Sequence, residues 1–187
     1  MIELSALWLP ILLTAVVVFF ISFVMWMVSP HHNSDWGPLS DEDRLMDVLR
    51  ELGAGAGQYT FPHVAERAQL KDPDWMAKFD RGPKGFLILK PEGPVNVGRS
   101  MLVSFLFNAI TAALVAYAAT LVLPAGAATG LVFRFFAVVA FLANAFALGW
   151  GAIWFGRSWT STFKEVLDGL VYGLATAGVF AWLWPAA

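Results

Sequence analysis

Four long apolar stretches, residues 6–28, 101–123, 131–155 and 166–184, constrain this chain more than any other feature. An α-helix rises ~1.5 Å per residue, so about 20 apolar residues cross a ~30 Å hydrocarbon core. A bilayer offers no water to backbone N–H and C=O groups, so a spanning segment must bond its own backbone and is therefore helical. The expected fold is an all-α integral membrane protein of four transmembrane helices. Residues 29–100 form a small α/β soluble insert between the first and second.

Composition agrees with that reading. Hydrophobic residues make up 58% of the 187 and charged residues only 14%, too apolar for an ordinary soluble domain. The net charge of -2 hides a segregation: of twelve Lys and Arg, only Arg134 falls outside the insert and the short 156–164 connection. Acidic residues are interspersed with these basic ones. The insert therefore has no positive stripe of the kind that displaces counterions from nucleic acid, and no nucleic-acid partner is expected. The absence of cysteine excludes disulfides, thiolate metal sites and cysteine nucleophiles.

The first stretch is expected to be a retained anchor. It is preceded by Glu3 with no Lys or Arg, and its apolar run exceeds the ~7–15 residues of a signal peptide. Four spans put both termini on one side of the bilayer and the insert on the other. Arg81, Lys84, Lys90, Arg99, Arg157 and Lys164 crowd the insert side, against Arg134 alone near the other. The positive-inside rule then puts the insert in the cytoplasm and both termini outside. Trp26, Trp150, Trp154 and Trp159 on the insert side, with Trp8, Trp182 and Trp184 opposite, read as interfacial belts.

Polar and small residues inside the spans are the candidates for packing or function. Gly169, Gly173 and Ala177 recur every four residues and make a small-residue ridge on the fourth span, suited to close helix packing within the chain or against another subunit. Asn108 and Asn144 lie at similar depth on neighbouring antiparallel spans, where their amides can hydrogen-bond. Asp168 and Glu165 are expected in the first turns of the fourth helix, complementing its positive end, with Glu165 solvated and Asp168 paired to Arg157, Lys164 or Arg99. Arg134 is expected to snorkel outward. No span holds a proline that would break it, Pro10 being in a first turn, so discontinuous helices of the transporter type are not expected. No catalytic pair or phosphate-binding loop is present, so nothing marks the chain as an enzyme.

In the insert, Ser40 is expected to cap a helix ending at Gly53, with Leu45, Val48, Leu49 and Leu52 as its apolar stripe. Residues 58–61 and 86–89 read as strands, and 64–70 and 73–79 as helical, the latter capped by Asp72 with Pro73 at its first position. His31, His32 and His63 are the three histidines of the chain and form a candidate metal site, with Asp35 or Asp41 to complete it. No other cofactor is expected.

Three functions fit. The leading one is a structural or accessory subunit of a larger membrane assembly, partnered by the lipid bilayer and by other subunits or copies of itself. The second is a small oligomeric transporter or channel lined by Asn108, Asn144 and Asp168. The third is a metal-binding or sensory protein using His31, His32 and His63.

Overall fold

A computed structural model describes residues 2–187. In chain order its elements are α1 (Trp8–Phe23), α2 (Glu42–Glu51), β1 (Gly57–Phe61), α3 (Pro73–Arg81), β2 (Gly85–Leu89), α4 (Val97–Thr120), α5 (Thr129–Asn144), α6 (Gly149–Phe155) and α7 (Trp159–Leu183). Helical segments long and apolar enough to cross a membrane run over Leu4–Val28, Val97–Thr120, Thr129–Phe155 and Trp159–Leu183. The chain divides into two units: residues 2–36, 96–153 and 157–187 form one, and residues 37–95 with 154–156 form the other.

The first unit is a helix bundle. Its most extensive contact is α5 along α7, and α1 packs on both α4 and α7. Small side chains permit that closeness. A Cβ added to Gly173 would lie 3.0 Å from Phe141 N and 3.1 Å from Ala137 O, and one on Gly169 would overlap Ala145. Ala177 is fully buried beside them. The ridge on α7 is thus occupied by α5 of the same chain. Beyond it, Phe136 and Phe180 stack with ring centroids 4.0 Å apart, filling the core between the two helices.

Three features of the bundle depart from the sequence expectation. The last helix begins at Trp159, capped by Ser158, so Glu165 and Asp168 lie beyond its first turn and outside reach of the positive helix end. The polar stretch before the apolar run continues the helix because it supplies a cap and no breaker. The third span is interrupted: α5 stops at Asn144, Ala145 adopts φ -134° and ψ -40°, and a short turn leads into α6. No proline is needed for this break. Ala145 sits against Gly169, and Gly149 and Gly151 weaken the following turn. Finally, the first span closes in a π-helical turn, Val24–Val28, ended by Ser29 and Pro30.

The second unit carries an antiparallel hairpin-like pair, with Gly57 opposite Leu89 and Phe61 opposite Gly85. Helix α2 is capped by Asp41, which accepts from Arg44 N, rather than by Ser40, and Gly53 follows it at φ 64°. Helix α3 has the expected Asp72 cap and Pro73 start. Between β1 and α3 the chain forms a 3-10 turn, Arg67–Lys71, in place of a helix over 64–70. No residue between 37 and 95 is buried, so this unit has strands and helices but no interior of its own.

Candidate metal and proton-binding cluster

The π-helical turn and the cap after it set up the site. Ser29 Oγ accepts from His31 N, and the following 3-10 turn, Pro30–His32, presents both imidazoles toward α7. Two turns further along α7 than Ser161, Asp168 meets them. His32 Nε2 lies 2.8 Å from Asp168 Oδ2, and His32 Nδ1 lies 2.6 Å from Asp35 Oδ2. Lys164 donates to the other Asp35 oxygen at 2.8 Å and to Ser34 Oγ at 2.8 Å. The Trp26 indole stacks on the His32 ring, centroids 3.7 Å apart. One imidazole is therefore held between two carboxylates under an aromatic lid, with a lysine anchoring the outer carboxylate.

Asp168 is the deepest part of this cluster, with 2% of its side chain exposed. Its Oδ1 lies 3.3 Å from His31 Nε2, but their alignment forms no hydrogen bond, so both buried atoms lack one. His31, His32 and Asp168 each offer one ligand atom, all within 4.8 Å of one another.

Electrostatics follow from the contacts. Burial opposes the charged form of His32, yet the hydrogen bonds and negative charges of Asp35 and Asp168 outweigh it and raise its pKa above the ordinary imidazole value. The Lys164 ammonium, with His32 next, holds the Asp35 carboxyl down to about 2. Alongside, Arg157 grips Glu165 with both guanidinium nitrogens, which raises the arginine pKa further.

The residues singled out from sequence are distributed as follows. His31 and His32 belong to the cluster, and His63 lies in the second unit. The partner of Asp168 is the histidine pair, because Lys164 is taken by Asp35 and Arg157 by Glu165. Glu165 is accordingly paired and mostly covered rather than solvated. Asp35, named only as a ligand to complete a metal site, is here the outer partner of His32. Asn144 Nδ2 donates to Ala140 O at 2.7 Å and makes no bond to Asn108, since the carbonyl one turn back is closer to hand. Both amides instead border a small cavity shared with Thr14, Thr111 and Thr176. Arg134 is exposed and its Nε donates to Gly130 O at 3.1 Å. Trp26 stacks on His32 and is still exposed, as are Trp8, Trp150, Trp154, Trp159 and Trp182.

Comparison with protein-family models, with curated proteins and with solved structures finds no match, so the geometry alone carries the functional reading.

Proposed function

We propose that this chain is a multi-pass membrane protein that binds a divalent transition-metal ion through His31, His32 and Asp168. The observation that carries the reading is the pair of buried atoms, Asp168 Oδ1 and His31 Nε2, that face each other without a hydrogen bond. A buried carboxylate oxygen left unsatisfied is costly, and a cation between the two groups satisfies both. Ligands at ~2.0–2.1 Å from a tetrahedral ion stand about 3.3 Å apart, matching the 3.3 Å separation of these atoms.

His32 fits the same role. Its Nδ1 proton stays in the bond to Asp35, and a bound ion would displace the Nε2 proton now shared with Asp168 Oδ2, giving the carboxylate–histidine–metal arrangement that fixes ring tautomer and orientation. Two imidazoles and a carboxylate, without thiolate, suit zinc or another first-row divalent ion and leave coordination positions open.

The wider reading keeps the bilayer as the main partner. Large apolar side chains such as Phe20, Phe107, Leu114 and Trp182 are exposed along the spans, as contact with lipid demands. The charge asymmetry supports a cytoplasmic insert, which puts the cluster at the cytoplasmic interface. An accessory-subunit role draws no support from the α7 ridge, which α5 already covers.

The test is a competition titration of Zn2+ against a chromophoric chelator, using full-length protein without an added histidine tag. Wild type takes up one ion per chain and Asp168→Asn takes up none. Equal uptake by the two overturns the assignment, and the cluster is then an ion-pair latch between the first and fourth spans.

A further inference from the structure

All four spans contribute polar side chains to one small cavity near their midpoints: Thr14 from α1, Asn108 and Thr111 from α4, Asn144 from α5 and Thr176 from α7. Mid-span is the worst place in a bilayer for an unsatisfied polar group. Most of these groups are partly satisfied by their own helix. Thr111 Oγ1 donates to Phe107 O at 3.0 Å, Thr176 Oγ1 to Tyr172 O at 2.8 Å, and Asn144 Nδ2 to Ala140 O. Those bonds use hydrogens and leave the oxygens free to accept. Thr14 is the exception: it is 2% exposed, and its hydroxyl has no partner among the described residues.

The cavity is about 10 Å³, which is room for one water molecule, and a buried water needs two to four polar partners. We infer that this cavity is a binding site for a single ordered water at the centre of the bundle. Its two hydrogens go to the acceptor-rich lining, and its oxygen receives the Thr14 hydroxyl. An uncharged lining of this size suits water better than a cation, which would lose its hydration without gaining a counter-charge. The site also ends a polar line on α7. Asp168, Tyr172 and Thr176 are spaced by four residues and share a helix face. Polar chemistry thus extends from the histidine cluster to the bundle centre, independently of whether that cluster holds a metal.

Radiolytic hydroxyl-radical labelling in 18O water, on the full chain in lipid nanodiscs, tests this directly. Radicals generated from a bound water oxidise the side chains around it. Val18 and Val115 line the cavity yet are 5% and 3% exposed, whereas Phe136 is 0% exposed and lies elsewhere in the core. The expected result is several-fold faster oxidation of Val18 and Val115 than of Phe136, although a phenyl ring is the more reactive target. Thr14→Val should abolish that excess and Thr14→Ser should keep it. Valines no more labelled than Phe136 in the wild type overturn the inference, a comparison that stands even where Thr14→Val fails to fold.

Discussion

His32 and Asp168 meet at 2.8 Å, Nε2 to Oδ2, across 136 positions of sequence. This contact fastens the segment after the first span to the side of α7. It also separates two roles that removal of neighbouring groups can distinguish. Asp168 both holds the imidazole and offers a metal ligand, while His31 offers a ligand without making a hydrogen bond through Nε2. We therefore expect Asp168→Asn to lower metal-free stability by on the order of 2 kcal/mol, the value of a hydrogen bond to a charged group. His31→Ala should leave the metal-free melting temperature near that of the wild type but abolish its rise on adding Zn2+. Thermal melts in detergent with and without Zn2+ check both.

Asp35 reaches the proposed ligands through His32, and Lys164 anchors its other oxygen. Asp35→Asn should weaken metal affinity about 10–100-fold, as loss of an outer carboxylate does, while the stoichiometry stays at one ion per chain. Chelator competition measures both quantities, and an unchanged affinity would show that Asp35 does not orient the ring.

Acid should loosen the metal-free cluster in a defined window. The Asp35 pKa is lowered from 3.8 to about 2, chiefly by Lys164 and then by His32. A folded-state value below the unfolded one contributes stability that is complete above the unfolded pKa and disappears as pH falls through the folded one. Melting temperature should thus drop between about pH 4 and pH 2. Lys164→Met removes the largest cause of the shift, so the Asp35 contribution to that drop should shrink. Melts across this range for both proteins decide it.

The α7 ridge gives a packing prediction. At Gly173 an added side chain meets the α5 backbone, which cannot move aside as a flexible side chain would. Gly173→Leu should cost at least about 1–3 kcal/mol, the usual range for overpacking. Gly178 has nothing within 4 Å of an added Cβ, and Gly178→Ala should be tolerated. Denaturation in mixed micelles, comparing the two variants, reads the difference.

Much of the bundle was legible because bilayer physics writes it into composition: apolar runs of span length and a four-residue spacing of small residues need no long-range information. The Asp72–Pro73 helix start in the insert was legible for the same local reason. The site was only half visible. His31 and His32 stand out as adjacent histidines, but their deepest partner is brought to them by tertiary packing, and spacing along the chain says nothing about it. Asp168 is expected within the first turns of its helix but sits in the third, since the cap at Ser158 that starts α7 lies before the apolar run. The break at Ala145 was hidden because proline is the loud signal for a break, and here glycines and a close helix contact act instead. Asn108 and Asn144 were recognisable as polar groups in lipid. What they share proved to be a cavity, whose existence depends on four helices at once.

The most direct measurement is the metal content, by inductively coupled plasma mass spectrometry, of untagged protein extracted from its own membrane without chelators. About one transition-metal ion per chain is expected in the wild type, with loss of that ion in both His31→Ala and Asp168→Asn. A folded wild-type protein without metal, or variants that retain it in full, would contradict the assignment.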